Sequence, residues 1–308
     1  MKRSGLIATV VIIASSCVSQ PSPPAEAPVQ ETAQVQVQEP VVETTATETV
    51  AAKEPVRKER IEEFKTPVAV KETITFADGV VDRVITLSYD KENRLLLSTT
   101  AKKPSTPDPV ERVVYEYQDA MLTVKSTFGS DGSLQSKSQY AYQKSGELIR
   151  ETILDGKGVV QSISEWTWDN GKKASWQIIS AAGLVLAKTE YFYEGEVQKN
   201  AKLYDGAGNV KGSIDYSYAE GNILTAVKYF DAAGAQDGRI EYTIKDGRVV
   251  QEDTYRYDGR LERRLSYEYG KDGALLRKTL ADSSGKAREV TTVENAYRTD
   301  TRVVVYYE

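Results

Sequence analysis

The chain has 308 residues, with 40 basic and 45 acidic side chains, a net charge of −5, one cysteine and no histidine. These counts exclude Ser-His and Cys-His nucleophilic sites, haem ligation through histidine, ordinary zinc centres and internal disulfides. Charges of both signs are interspersed, which leaves no basic footprint for nucleic acid or anionic lipid. We therefore expect no cofactor and no nucleic-acid partner.

Residues 1–16 have the features of an export signal. Lys2 and Arg3 precede an apolar run from Leu6 to Ala14, which is too short to span a bilayer. Small residues stand directly before Cys17, and this arrangement resembles the lipobox of bacterial lipoproteins. The resemblance implies that Cys17 becomes the lipidated first residue of a cell-envelope protein, anchored in the outer membrane. The alternative is ordinary secretion, with Cys17 removed or left free.

Residues 17–67 have the composition of a disordered linker that begins at the predicted lipidated cysteine. Residues 18–67 hold seven of the ten prolines and otherwise mainly Ala, Val, Glu, Gln and Thr, with no aromatic residue before Phe64. Such a composition cannot bury enough apolar surface to fold alone. A flexible coil of about 50 residues spans roughly 40 Å. We therefore expect the folded domain, residues 68–308, to lie clear of the membrane surface.

An aromatic residue recurs every 25 or 26 residues through this domain, and a turn glycine recurs with the same spacing. The aromatic positions are Tyr115, Tyr140, Trp166, Tyr191, Tyr216, Tyr242 and Tyr267. The glycine positions are Gly132, Gly158, Gly183, Gly208, Gly234, Gly259 and Gly285. Two markers that keep one period over about 170 residues predict a duplicated structural unit stacked into an array.

The sequence pattern of each repeat predicts two antiparallel strands joined by short turns. In residues 213–238, Ile214, Tyr216 and Tyr218 alternate with polar residues, and a second strand ends at Asp231. An Asp three residues before a Gly is typical of a type I turn closed by a glycine with positive φ. We expect an all-β, antiparallel up-and-down meander of about eight hairpin repeats, with roughly 16 to 18 strands. Because the second strands carry charges on both faces, an extended or curled sheet is expected rather than a porin-like barrel.

The runs YDKENRLL, YDGAGN, FDAAG and YRYDGRL resemble the YD repeats of Rhs-class proteins, over residues 87–286. The resemblance implies stacked β-hairpins and a place at the cell surface or in the envelope. It lends nothing to a toxin function, because about eight repeats are too few for a toxin-enclosing shell and the sequence predicts no toxin domain behind them.

Carboxylates are the remaining candidates for chemistry. Asp155, Asp205 and Asp231 recur at equivalent positions of the repeat, which turn chemistry explains. Calcium at a turn such as Asp131-Gly132 would require clustered carboxylates that these turns lack. We expect no catalysis and no metal site. A carboxylate pair in a cleft would instead indicate a carbohydrate-active enzyme, and an enclosed apolar cavity would indicate a lipid carrier.

Paired aromatic side chains on one strand face form the candidate binding surface. They can stack on sugar rings or contact a partner protein, or they can form a cross-strand ladder that stabilises the sheet. All three tryptophans lie in one repeat, which makes that repeat the preferred contact. The candidate residues are Trp166, Trp168, Trp176, Tyr140, Tyr142, Tyr191, Tyr193, Tyr216 and Tyr218. The sequence thus predicts a non-catalytic envelope lipoprotein that presents a repeat sheet to a protein or glycan partner.

Overall fold

The structure, a computed structural model, describes residues 57–92, 94–102 and 109–307. The predicted signal, Cys17 and most of the predicted linker lie outside these residues. The described residues form eighteen strands and one short 3-10 turn, Glu220–Asn222. The strands are β1 (Arg57–Phe76), β2 (Val81–Tyr89), β3 (Leu95–Ala101), β4 (Glu111–Gln118), β5 (Met121–Gly129), β6 (Leu134–Tyr142), β7 (Leu148–Asp155), β8 (Val160–Asp169), β9 (Lys172–Ser180), β10 (Val185–Glu194), β11 (Val197–Asp205), β12 (Val210–Ala219), β13 (Ile223–Asp231), β14 (Gln236–Lys245), β15 (Arg248–Arg256), β16 (Leu261–Tyr269), β17 (Leu275–Asp282) and β18 (Ala287–Tyr307). No helix in this described part of the chain has the length and apolar character needed to cross a membrane.

The strands close into a barrel. Each strand pairs antiparallel with the next one in the chain, and β1 also pairs with β18, from Arg57 opposite Tyr307 to Phe76 opposite Glu289. The predicted all-β meander is confirmed, but the expected extended or curled sheet is wrong, because all eighteen strands belong to one closed sheet. In an up-and-down meander with an even number of strands, the first and last strands run antiparallel. They can therefore pair and remove both free edges of the sheet.

The closing strand β1 begins upstream of the expected domain start at residue 68. Residues 57–67, which the sequence analysis assigns to the linker, pair with residues 297–307 of β18. The next strand, β2, pairs with β1 only from Lys71 to Thr75, so the earlier part of β1 forms a two-stranded ribbon with β18. Pro67 has no backbone N–H, but it lies where β1 has no second neighbour. Proline and charge, which suggest a linker in the sequence, are equally typical of an exposed edge.

The hairpins at one end of the barrel use the predicted Asp-to-Gly turn. After β7, Gly158 has a φ of 81°, and its N–H donates to the Asp155 carbonyl at 3.0 Å. The Asp155 carboxylate accepts the N–H groups of Lys157 and Val159, both at 2.9 Å. The same arrangement recurs at Asp205, Asp231 and Asp282. The prediction that turn chemistry explains these carboxylates is confirmed.

The two faces of the sheet differ in burial and charge. The face with the paired aromatics also carries the buried residues Ala201 and Val227, which lie opposite Tyr191 and Tyr216, so it is the inner face. The opposite, outer face carries ion pairs. Lys188–Glu190, Arg239–Glu241 and Arg264–Asp253 are each separated by 2.7 Å on this face.

The interior is only thinly packed. Among the described residues, the buried apolar side chains are Ile74, Val113, Ala201, Val227, Ala274, Ala281 and Val293, and no large side chain is completely buried. Side chains fill the inside of a barrel of about eight strands, whereas 16 to 18 strands leave open space. Residues of the inner face are therefore half-buried, and a ligand inside the barrel can reach them.

Candidate binding site on the inner face

The second aromatic residue of most first strands donates a hydrogen bond to a backbone carbonyl of the preceding hairpin. Asn295 does the same in the last strand. The donor–acceptor distances are 2.8 to 3.1 Å for Tyr89 to Ala69, Tyr117 to Leu95, Tyr142 to Leu122, Trp168 to Leu148, Tyr218 to Gln198, Tyr269 to Val249 and Asn295 to Leu275. Three of the candidate residues, Tyr142, Trp168 and Tyr218, are thus fixed in the sheet.

Each accepting carbonyl lies directly before the extra residue of a β-bulge. In one example, Leu122 pairs with Tyr117, Val124 pairs with Glu116, and Thr123 is left over. A bulge interrupts the ladder of backbone hydrogen bonds, and an unpaired buried backbone group costs roughly 1–3 kcal/mol. The aromatic side chain supplies the missing donor. These residues are therefore part of the frame of the barrel, which favours the structural-ladder interpretation.

The repeat that contains Tyr242 departs from this pattern. Ile244 takes the place of the second aromatic and has no donor for the equivalent carbonyl, that of Leu224. The next repeat is normal, because Tyr269 donates to the Val249 carbonyl at 3.0 Å. Ile244 therefore leaves the Leu224 carbonyl without a side-chain hydrogen bond, whereas the hydrogen bond from Tyr269 to the Val249 carbonyl is kept.

The three tryptophans lie together on β8 and β9, as their common repeat predicts. Trp166 is directly opposite Trp176, and Trp168 is opposite Lys173. The Lys173 ammonium lies 5.9 Å from the ring centre of Trp168 and 5.6 Å from that of Tyr191, within the range of a cation–π contact. The tyrosine candidates are Tyr140 and Tyr142 on β6, Tyr191 and Tyr193 on β10, and Tyr216 and Tyr218 on β12. They line the inner wall on separate strands and do not join the tryptophans in one compact patch.

The residue opposite the first aromatic changes in character along the array. In chain order these residues are Lys125, Glu151, Trp176, Ala201, Val227, Glu252 and Lys278. We call β8–β13 the aromatic arc, because Trp176, Ala201 and Val227 give each aromatic an apolar partner there. We call β14–β18 with β1 and β2 the charged seam, because Glu252 and Lys278 replace those apolar partners.

A cavity of about 310 Å³ lies on the inner face of the charged seam. Part of its wall is aliphatic, from Ile74, Ile85, Leu265 and Leu280. The charged part consists of three acidic and three basic side chains, Glu72, Glu252, Glu289, Arg83, Arg263 and Lys278. The volume is at the lower end of the range for small-molecule sites.

Four of the six charged groups are paired within the cavity. The Lys278 ammonium lies 3.5 Å from the Glu72 carboxylate, and the Arg83 guanidinium lies 3.8 Å from the Glu289 carboxylate. Arg83 also donates a hydrogen bond to Asp82, which does not line the cavity. Two groups remain. Arg263 donates from Nε to the Thr254 hydroxyl at 3.3 Å, and within the described residues no carboxylate lies in ion-pair range of it. Glu252 forms neither a hydrogen bond nor an ion pair with any residue that the structure describes.

Tyrosines beside the cavity hold their protons strongly. The pKa values of Tyr242 and Tyr267 are raised to about 12, first by burial and second by the negative charge of Glu252. In the aromatic arc, burial raises the pKa of Tyr216 to about 12, and the neighbouring Tyr191 adds to the effect. All three phenols are therefore neutral at physiological pH.

Sequence reasoning missed the charged seam. Glu72 and Arg83 precede the first recognisable repeat, and Glu252 and Lys278 look like ordinary polar residues of mixed second strands. The repeat itself contains the signal. Glu252 and Lys278 stand, at the same spacing, where Trp176, Ala201 and Val227 stand in the three repeats before them, and an alignment of the second strands marks them, like Lys125 and Glu151, as inward charges. No group of three or more acidic or cysteine side chains suited to a metal ion occurs within residues 57–92, 94–102 and 109–307.

The chain matches no protein-family model, and no curated protein is similar to it. A porin-like protein from Bacteroides uniformis is a similar solved structure, with 12% identity, 78% of this chain and 98% of that chain covered, and a TM-score of 0.38. A porin-like protein from Bacteroides vulgatus shows 9% identity, coverage of 73% and 97%, and a TM-score of 0.33. The TcdB2–TccC3 structure shows 13% identity and a TM-score of 0.27, and the match covers 70% of this chain but only 16% of that one. Similarity at this level carries no functional assignment.

Proposed function

We propose that this protein is a non-catalytic lipoprotein of the bacterial cell envelope, attached to the outer membrane through Cys17, whose barrel binds a protein or glycan partner. The observation that carries the binding role is the cavity of the charged seam. Its wall combines aliphatic side chains with two charged groups that belong to no ion pair of the described residues, Glu252 and Arg263, of which Arg263 is hydrogen-bonded to the Thr254 hydroxyl. Charged groups at such positions are available for recognition.

Attachment through a lipid is supported by the outer face of the barrel. Ion pairs such as Lys188–Glu190 and Arg239–Glu241 lie within the strands and face outward. A barrel that spans a membrane needs an outer band free of charge across the hydrocarbon. A barrel with a charged outer face needs a separate anchor to be held at a membrane, and lipidated Cys17 would supply it.

The enzyme and the lipid carrier have less support. Glu72 and Glu289 are paired with Lys278 and Arg83, so they are not a free carboxylate pair of the kind that cleaves glycosides. The cavity wall is charged over much of its surface. A lipid tail would bury Glu252 and Arg263 without a counter-charge, at a cost of several kcal/mol.

The test compares the full chain with its Cys17→Ser variant in a bacterial host. We expect the full chain to incorporate a fatty-acid label and to sediment with the outer membrane, whereas Cys17→Ser is unlabelled and leaves that fraction. Cross-linking in the envelope, with a glycan array in parallel, is expected to give one saturable partner. Envelope retention of unlabelled Cys17→Ser would contradict the anchor. If neither cross-linking nor the glycan array detects a partner, the binding role is contradicted and a structural role remains.

A further inference from the structure

The charges of the cavity specify what it can accept. Three carboxylates face three cations, so the cavity as a whole is neutral. Two ion pairs, Glu72–Lys278 and Arg83–Glu289, involve four of these groups, and Asp82 outside the lining is a further partner of Arg83. What remains is one carboxylate, Glu252, and one guanidinium, Arg263. Glu252 is half-buried and Arg263 is exposed, and a ligand with a single charge would match only one of them.

We propose that the cavity binds a small zwitterion, an amino acid or a short peptide, with its ammonium group at Glu252 and its carboxylate at Arg263. This inference rests on the binding role proposed above and names the chemical class of the ligand. Arginine matches a carboxylate with two parallel hydrogen bonds, and a carboxylate accepts several bonds from an ammonium group. The ligand thus supplies both missing counter-charges at once.

The aliphatic wall defines the rest of the ligand. Leu265 lies directly opposite Glu252 in the register and two residues from Arg263 on the same strand face. Glu252 and Arg263 are thus diagonal neighbours on one sheet face, with Leu265 beside both, and Ile74 and Leu280 continue the aliphatic part of the wall. A ligand held by both charges can place its apolar part against this wall. We expect a preference for aliphatic side chains, and a volume of about 310 Å³ restricts the ligand to an amino acid or a short peptide.

The repeat provides an internal comparison. The position of Glu252 is filled by Ala201 and Val227 in the aromatic arc, where both are buried, and by Lys125 and Glu151 in the two repeats before the arc. The fold thus accepts a small apolar residue there and gains packing from it. Glu252 brings no such gain, and unlike Glu151 it lines the cavity.

The experiment is calorimetric titration of the full chain with four related probes. Leucyl-glycine carries both charges, N-acetyl-leucine only the negative one, leucinamide only the positive one, and N-acetyl-leucinamide neither. We expect leucyl-glycine to bind most tightly. Loss of either charge should weaken binding by about tenfold or more, because a hydrogen bond to a charged group contributes roughly 1.5–3 kcal/mol.

Two variants with the same change of charge assign the effect to the cavity. Glu252→Gln should weaken leucyl-glycine binding by about tenfold and leave the binding of N-acetyl-leucine, which has no ammonium group, unchanged. Glu268→Gln is the control, because Glu268 is an exposed residue of the outer face on β16. It should bind all four probes like the unmodified chain. Thermal unfolding of both variants verifies that the barrel is intact.

Three results would overturn the proposal: no heat from leucyl-glycine, equal binding by Glu252→Gln, or equal binding of the uncharged probe. Equal binding of the uncharged probe would indicate that the cavity recognises only the apolar side chain. None of them would affect the partner capture described above, which uses the same full chain. Failure of the zwitterion and failure of the binding role are therefore distinguishable.

Discussion

The aromatic arc and the charged seam are built from one repeat, yet their inner walls differ. In the arc, Tyr191 lies opposite Ala201 and Tyr216 opposite Val227, and both partners are buried. In the seam, Tyr242 lies opposite Glu252 and Tyr267 opposite Lys278. The backbone is nevertheless the same, with a bulge in each hairpin of both regions. The backbone therefore does not depend on the residue opposite the first aromatic, which is a buried apolar residue in one region and a charged residue in the other.

The largest expected effect comes from crowding the arc. A Cβ on Gly212 would lie 2.2 Å from the Phe230 carbonyl oxygen of the neighbouring strand, so the backbone must move. We expect Gly212→Ala to lower the free energy of unfolding by roughly 2–3 kcal/mol in urea denaturation. Gly238→Ala is the control, because the corresponding distance to the Tyr255 carbonyl is 2.9 Å. An equal loss in both variants would contradict the steric explanation.

Removal of one bulge bond in the arc should have the next largest effect. Tyr218→Phe leaves the Gln198 carbonyl without its side-chain donor and is expected to cost about 1–2 kcal/mol of unfolding free energy. Tyr191→Phe removes a hydroxyl from the same face at a position where the described residues provide no hydrogen bond for it. If chemical denaturation gives the same loss for both variants, the bulge bonds do not stabilise the frame.

The missing bond at Ile244 can be restored. Ile244→Tyr places a donor where the other repeats have one, within reach of the Leu224 carbonyl. We expect the free energy of unfolding to rise by roughly 0.5–1 kcal/mol, the usual net value of one hydrogen bond. Ile244→Phe, which adds the ring without the hydroxyl, is the control. A rise of the same size with Phe would assign the gain to packing instead.

Changes at the inner-face charges of the charged seam should hardly affect stability. Lys278→Met breaks the 3.5 Å pair with Glu72, which is partly open to solvent, and we expect a loss of less than about 1 kcal/mol. Arg264→Met is the contrasting variant on the outer face, because it removes two bonds of 2.7 Å to the buried carboxylate of Asp253. We expect a clearly larger loss there. The reverse order in a denaturation experiment would show that the seam supports the fold.

Tyrosine pKa values, measured by alkaline titration, should show the smallest difference between the aromatic arc and the charged seam. The folded pKa values of Tyr216, Tyr242 and Tyr267 are about 12, above the unfolded value of about 10. Their contribution to stability is therefore complete below about pH 10 and is lost as the pH rises to about 12. Glu252→Gln should lower the pKa of Tyr242 and Tyr267 but not that of Tyr216. Tyrosinate absorbance in single Tyr→Phe variants measures each pKa. An equal pKa shift for all three tyrosines would show that Glu252 is not specifically close to Tyr242 and Tyr267.

The sequence predicted the parts of the fold that depend on local chemistry. Asp155 and Gly158 fix a turn by bonds within five residues, and the spacing of Tyr216 and Tyr218 marks a strand with one buried face. Closure was not predictable in this way, because Pro67 and its charged neighbours lie in a strand whose partner is more than two hundred residues away. The candidate site was missed for a similar reason. Glu252 and Arg263 become notable only when the register shows that they face inward and the described side chains form no ion pair with them.

The pairing of β1 with β18 also sets the order of events during synthesis. β1 is made first, but its partner over residues 57–69 and over 71–76 lies in β18, the last strand of the described chain. β17 depends on β18 as well. Contacts between such distant residues form slowly, because a long chain must be brought together first. Until Ala287 and the residues after it have been made, the growing sheet therefore has two open edges, and only the final strand removes both.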